Sequence, residues 1–483
     1  MIPADPGSYV NGRWAPVTAA DGVIARAAPA DLDDPLPPYA FALAHVDDAV
    51  AAARAAQPAW SALPLEARAA CLARLRDALA QHENALALAI TREMGKVIRE
   101  ARAEVKAMIA KVDITLTEGL ALVRDTTLDA RFSWRWRPHG VLAVLGPFNF
   151  PLHLPHGHIV PALLLGNAVV FKPSEVTPGC AALYAQVVES AGLPPGVFNL
   201  VQGDGVVGAA LGAHAGVDGV LFTGSYGVGE KLRRVNVSTP GRLLALELGG
   251  KNAAVVLDDA PFEKAVDDVV VSAFSTTGQR CSCASRLVVT RGVAERFVAE
   301  VARRAAAIVV GHPLDPAAFC GPLATPRAVE KFEALQRLAE EEGAHAVIAP
   351  REASVSWEGR AHRGCYVTPR VRVVAAREKR SAYQRDEAFG PDLAVYVVDD
   401  LDEALAVADD SDYGLTAGVW TASEAAFEHA ARALHVGALS WNAPTVGASS
   451  RLPFGGVKNS GNHRPAGAFS TLYCAYPMAV TRG

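Results

Sequence analysis

From Val141 onward, short apolar runs alternate with stretches in which apolar residues recur every three to four positions. The runs are Val141 to Leu145, Ala168 to Phe171, Val197 to Val201, Gly219 to Phe222 and Leu243 to Glu247, with helical segments of about ten to fifteen residues between them. That alternation predicts an α/β fold with a parallel, doubly wound sheet, and such sheets bind ligands beyond the carboxyl ends of their strands. The segments at those ends are Pro147 to Pro151, Lys172 to Glu175, Thr223 to Gly229 and Glu247 to Gly250. A second α/β stretch opens with Asn252 to Leu257 and continues to about Asn459. It includes a strand at Leu287 to Thr290 and helices around Ala294 to Val309 and Pro326 to Glu342. Gly364 to Pro369, Glu387 to Pro391 and Leu452 to Gly456 are bracketed by glycine and proline, and read as loops returning to one cleft.

Before this lies a hairpin signal, Tyr9 to Trp14, with Asn11-Gly12 between strand formers. From His45 to about Val123 the helical period predicts roughly three helices. The charged residues from Glu93 and Lys96 through Glu104 read there as a solvated face. Residues 120–138 switch period: Phe132, Trp134 and Trp136 alternate with Ser133, Arg135 and Arg137, as in a strand with one apolar face. Paired with the tail Phe469 to Val480, this strand would form a small protruding sheet. Apolar edges of that kind are usually covered by a second subunit, so a homo-oligomer is expected.

Composition narrows the class. A chain of 483 residues exceeds what one core supports, and 51% hydrophobic with 20% charged residues is ordinary for a soluble globular protein. The net charge of −5 argues against nucleic acid or an anionic membrane as partner. Seven scattered cysteines, and an N-terminus without the pattern of a leader, point to a reducing, cytoplasmic enzyme. The apolar run Ile159 to Phe171 is too short to span a bilayer.

The candidate chemistry centres on Phe274 to Arg286, FSTTGQRCSCASR. Cys281 follows a turn-forming glycine, Gly278, and adjoins Arg280, whose cation favours a thiolate; it is a candidate nucleophile. A lone cysteine is more often a buried small residue, so this reading needs support from the rest of the chain. Two glycine-rich turns compete for a phosphate. Gly203, Gly205 and Gly208 spell a dinucleotide-like spacing, but no acidic residue follows at the expected strand end. Thr223 to Gly229, where a strand passes into a helix with free amides, is preferred. Lys172 and Glu175 can bond adenosine ribose hydroxyls, and a carboxylate there repels a 2′-phosphate, which favours NAD while leaving NADP possible. His153, His156 and His158 cluster, but with Pro155 and Gly157 interleaved and no cysteine or acid nearby, no metal is expected.

Taken together, FNFP (Phe148 to Pro151), FKPSE (Phe171 to Glu175), FTGS (Phe222 to Ser225), ELGGK (Glu247 to Lys251), GQRC (Gly278 to Cys281), EAFGP (Glu387 to Pro391) and PFGG (Pro453 to Gly456) resemble the NAD(P)-dependent aldehyde dehydrogenase superfamily in order and spacing. Longer segments, HLPHGHIVPALLLGN (His153 to Asn167) and SGNHRP (Ser460 to Pro465) among them, are most similar to the succinylglutamate-semialdehyde dehydrogenase branch; Lys251 and the stretch Val446 to Leu452 depart from it.

The resemblance implies a cofactor domain of residues 1–119 and 139–249, a catalytic domain of 250–459, and an oligomerisation segment of 120–138 with 460–483. It implies Cys281 as nucleophile, Glu247 as base for water and Asn149 as an oxyanion donor. Phe148, Lys172, Ser174, Glu175, Gly224, Ser225, Gly229, Leu248, Glu387 and Phe389 would line the cofactor. Phe150, His153, Arg280, Ser282, Arg451 and Phe454 would line the pocket of an acidic aldehyde, with Arg464 and His463 near its entrance. A homodimer or dimer of dimers would result. CoA-dependent release of the acyl group, or a protein that keeps the fold without the chemistry, are the alternatives.

Overall fold

The computed structural model describes residues 4–375 and 381–483; Met1 to Pro3, part of the stretch read for a leader, lie outside it. Two seven-stranded sheets carry the fold. In the first, the strands Leu243–Glu247, Gly219–Thr223, Val141–Leu145, Ala168–Lys172 and Phe198–Leu200 run parallel in that spatial order. The antiparallel hairpin Ser8–Val10 and Arg13–Ala15 closes one edge, with Asn11 and Gly12 both at positive φ (51° and 76°), as a two-residue turn of that hand requires.

Burial explains why these runs are apolar throughout. Val141, Ala143 and Leu145 enter one core while Leu142 and Val144 enter another, because alternate side chains leave opposite faces and both faces are covered by helices. The second sheet repeats this design. Ala254 and Val256 face one core, Ala253, Val255 and Leu257 the other. Its strands Arg370–Val374, Asp392–Val398, Ala284–Thr290, Asn252–Val256, Thr416–Trp420 and Ala438–Trp441 are parallel, and Ala344–Ala346 adds an antiparallel edge.

A third, smaller sheet joins distant segments. Phe132–Pro138 pairs antiparallel with Ala475–Thr481, from Phe132↔Thr481 to Ala475↔Pro138, with Thr126–Thr127 on its other side. Phe132, Tyr476 and Met478 remain exposed on it. Among the described residues no helix is long and apolar enough to cross a membrane.

The N-terminal helical block differs from the sequence reading. It contains four α-helices, Ala44–Ala62, Leu65–Gln81, Glu83–Met94 and Ile98–Ile114, followed by a π-turn, Thr115–Gly119. Its charged stretch is solvated only in part: Arg99 and Arg102 are exposed, but Glu93, Lys96 and Glu104 are buried. Glu104 stands in helical phase with Ala101, Val105, Met108 and Val112, all inside, so the period itself places it in the interior.

Candidate active site

The helix Phe262–Phe274 ends in a tight turn, Ser275–Gly278, that delivers Cys281. Thr276, Thr277 and Gly278 are successively left-handed, at φ 52°, 56° and 71°. At Gly278 a Cβ would lie 2.1 Å from the Gly390 carbonyl oxygen, so only glycine allows the EAFGP loop this close. Asn149, buried at the end of the strand Val141–Leu145, donates from Nδ2 to the Gln279 carbonyl at 3.0 Å, two residues before the cysteine.

Cys281 is partly accessible. Burial, then the carboxylates of Glu247 and Glu387, push its thiol well above the usual range. The expected help from Arg280 is absent. That guanidinium is bound to Glu100 at 3.3 Å and donates to Thr276 Oγ1 at 2.8 Å, and the thiol its charge lowers is that of Cys283. Adjacency in sequence placed the cation beside Cys281; tertiary contact directs it elsewhere.

Glu247 ends the strand Leu243–Glu247, is 1% exposed, and neither carboxylate oxygen has a hydrogen-bond partner among the described residues. Burial raises its pKa well above the carboxylate range, opposed only by the charge of Arg464. Gly461 bridges to Glu247, and the PFGG loop approaches so closely that a Cβ on Gly455 would stand 3.0 Å from Glu247 Oε2. Glu387 reaches back to the same sheet edge: its Oε1 accepts from Gly250 N at 3.1 Å, and burial lifts its pKa to about 7. Phe389 (φ 48°) packs edge-on against Phe148, ring centres 5.7 Å apart.

Along the carboxyl edge of the first sheet, Lys172 Nζ lies 3.5 Å from Glu175 Oε2, and Ser174 Oγ accepts from Val176 N. Thr223 is the register partner of Glu247, and the helix Tyr226–Asn236 starts after Gly224 and Ser225, whose hydroxyl caps nothing. Gly229 in that helix packs on Leu248. The competing glycine turn also leads into a helix, Gly205–Ala213, but there Asp204 caps the Val206 amide.

The remaining pocket candidates separate. Two cations approach the Phe150 ring, Lys96 Nζ 3.6 Å and Arg280 Cζ 5.3 Å from its centre, and His153 packs edge-on to it. His153 Nδ1 is buried without a hydrogen-bond partner among the described residues, and burial lowers its pKa to about 4. Ser282 uses its carbonyl to accept from Thr416 and Thr445, and Phe454 pairs with Ala466 in a two-stranded ladder. Arg451 is exposed and bound to Glu118 at 2.7 Å. His156 bonds Tyr184 and Met108, and His158 bonds Tyr473 and Thr223, so both serve as buried hydrogen-bonding groups. Gly364 to Pro369, expected at the cleft, packs instead on Pro29, Ala30 and Leu323.

Three groups were missed from sequence. Lys96 and Glu104 form an ion pair at 2.5 Å with both side chains fully buried, and Glu104 Oε1 also accepts from Leu152 N and His153 N, fixing the segment after Asn149 and Phe150. Glu100 joins Arg280 as described. Lys251 donates to the carbonyls of Tyr383 and Asp386 and so holds the approach to Glu387.

Residues 19–477 match the aldehyde dehydrogenase family, and the chain belongs to it; it is an oxidoreductase acting on aldehydes. The chain is 44% identical over 441 residues to N-succinylglutamate 5-semialdehyde dehydrogenase of Burkholderia pseudomallei (strain 1106a), covering 90% of this chain and 88% of that one. The enzyme of the same name from Paraburkholderia xenovorans (strain LB400) is 42% identical over 439 residues, with the same coverage. Among solved structures, a mutant of aldehyde dehydrogenase C from Pseudomonas syringae in complex with NAD+ and octanal superposes with a TM-score of 0.93 at 34% identity, covering 100% of this chain and 98% of that one. A 1-pyrroline-5-carboxylate dehydrogenase from Thermus with bound NAD gives 0.91 at 29% identity, with 99% and 93% covered.

Proposed function

We propose that this protein oxidises N-succinylglutamate 5-semialdehyde to N-succinylglutamate with NAD, through a covalent intermediate on Cys281. The observation that carries the chemistry is a buried, unpartnered Glu247 close enough to the Cys281 thiol to raise it. The Cys281 sulfur, as a thiolate whose proton has gone to solvent, bonds to the aldehyde carbon, and the carbonyl oxygen becomes a thiohemiacetal oxyanion. The second Nδ2 hydrogen of Asn149 and the Cys281 N–H receive that oxyanion; losing one such donor typically costs on the order of a hundredfold in rate. A nicotinamide dinucleotide, when bound, would supply a hydride acceptor, and loss of hydride from the thiohemiacetal carbon makes the group on Cys281 a thioester. Glu247 then takes a proton from water, whose oxygen attacks the thioester carbon, and the acid leaves as the thiol reforms. A carboxylate whose proton affinity is raised by burial is the stronger base for this step.

The residues present fit a dinucleotide. Among the described residues no side chain caps the amino end of the helix beginning at Tyr226, Lys172 and Glu175 stand two strands along the same sheet edge, and Glu387 sits against Gly249, where a Cβ would be 2.3 Å from its Oε2. We assign phosphate contact to Gly224, Ser225 and the following amides, adenosine ribose to Lys172 and Glu175, and nicotinamide ribose to Glu387. The exposed Glu175 carboxylate favours NAD over NADP. The relatives' shared name and SGNHRP support the acidic substrate. With Arg280 and Arg451 engaged by Glu100 and Glu118, Arg464 is the cation we assign to its acidic end. Glu247 favours water over CoA as acyl acceptor.

The first sheet is assigned to the cofactor, the second to catalysis, and the third to a homodimer or dimer of dimers through its exposed Phe132, Tyr476 and Met478. Seven free cysteines support a reducing cytoplasmic setting. The test is an NADH-production screen with succinylglutamate semialdehyde, succinate semialdehyde and neutral aliphatic aldehydes, with Cys281→Ala beside wild type. The acidic N-succinyl substrate should give the highest kcat/KM, and the alanine variant none. Preference for a neutral aldehyde would overturn the substrate, and turnover by Cys281→Ala the mechanism.

A further inference from the structure

Two β-branched residues in succession, Thr276 and Thr277, hold left-handed backbone at φ 52° and 56°, immediately before the nucleophile. Side chains of this type are genuine outliers there, so the surroundings must impose the conformation. Thr277 is tied by its hydroxyl to the Gly321 carbonyl at 3.0 Å, and Gln279 to Pro322 and Ala324. Thr276 and Arg280, which bracket the turn, are held by one carboxylate from outside the catalytic sheet. Glu100, in the first turn of Ile98–Ile114, accepts from Thr276 N on Oε1 at 3.2 Å and from Thr276 Oγ1 on Oε2 at 2.8 Å. The Arg280 guanidinium closes the ring, 3.3 Å from Glu100 Oε1 and 2.8 Å from Thr276 Oγ1. All three side chains are shielded, with Arg280 and Glu100 at 18% and 14% exposure.

We propose that Glu100 is a positioning residue for the reaction: it clamps both ends of the strained Thr276–Arg280 turn and so fixes where the Cys281 sulfur stands. A free ion pair between Glu100 and Arg280 would need no contact with Thr276, yet both the amide and the hydroxyl of Thr276 are bound. Without the carboxylate, Thr276 relaxes toward negative φ and the turn no longer delivers Cys281 opposite Asn149 and Glu247. The proposal rests on Cys281 being the nucleophile.

Stopped-flow measurement of the first NADH turnover, at saturating aldehyde and NAD, tests it on the full-length enzyme. Glu100→Ala should slow the burst on the order of a hundredfold, the size expected when a reacting atom is displaced by about an ångström. KM for NAD should stay near wild type, because Glu100 touches none of Lys172, Glu175 and Glu387. Adding Thr276→Gly should recover about tenfold, since glycine adopts positive φ without the side-chain penalty. A merely structural role predicts the opposite, a further loss. Glu100→Gln keeps an acceptor oxygen and carries the comparison where the alanine variant does not fold, with a smaller slowing of about tenfold. A wild-type burst in either Glu100 variant overturns the proposal, as does failure of the added glycine to recover the rate. Cys281→Ser in the same assay separates the two readings: if it bursts normally the nucleophile assignment fails, and if it is silent while Glu100→Ala bursts normally, only the clamp fails.

Discussion

Replacing Glu247 by glutamine isolates the second half of the reaction. Its two carboxylate oxygens bond nothing among the described residues, so an amide of the same shape breaks no protein contact and the fold should lose little. Lys172 and Glu387, the residues assigned to NAD, are also left intact. What disappears is the group that takes a proton from water, and positioned general bases contribute about 10² to 10⁴ in rate. If water loses its base but the sulfur still attacks, Glu247→Gln should release about one NADH per site and then turn over at about a hundredth of the wild-type rate or less. Stopped-flow absorbance resolves the burst, and acid quench followed by intact mass measurement should find the acyl group on the peptide holding Cys281. The raised pKa sets the pH dependence. The base is needed ionised, so wild-type deacylation should be lost as pH falls through a value above the ordinary carboxylate range, a limb that glutamine abolishes. Steady turnover at the normal rate, or a stall without label on Cys281, would refute the assignment.

Other outcomes can be checked alongside. Glu104→Ala strands the buried Lys96 ammonium and should cost about 3–5 kcal/mol in denaturant unfolding; Lys96→Met with Glu104→Leu should recover only part, because the Leu152 and His153 amides still lack an acceptor. If Glu387 holds the nicotinamide ribose as assigned, with its pKa lifted to about 7 it accepts those hydroxyls best when ionised, so KM for NAD should fall as pH rises from about 6 to 8, and Glu387→Gln should flatten that slope. Glu175→Gln removes an exposed like charge from the site assigned to a 2′-phosphate and should improve kcat/KM with NADP about fivefold, the size of about 1 kcal/mol.

By itself the sequence determined the parallel strands of the first sheet, two strands of the second, the edge hairpin and the pairing of Phe132–Pro138 with the tail, because each such strand's burial on one or both faces is written directly in its apolar pattern. It also determined the candidate chemistry, since Asn149, Glu247, Cys281 and Glu387 sit in turns at strand or helix ends, where motif spacing is rigid. The tertiary structure decided how charge is distributed among them. Arg280 adjoins Cys281 in the chain but belongs electrically to Glu100, Lys96 and Glu104 lie inside rather than on a wetted face, and Lys251 secures the loop before Glu387. A local pattern reports which face of an element is apolar. Which buried charge meets which partner depends on how elements pack against one another, as where Lys251 reaches Asp386 across 135 residues of chain, and those contacts exist only once the chain has folded.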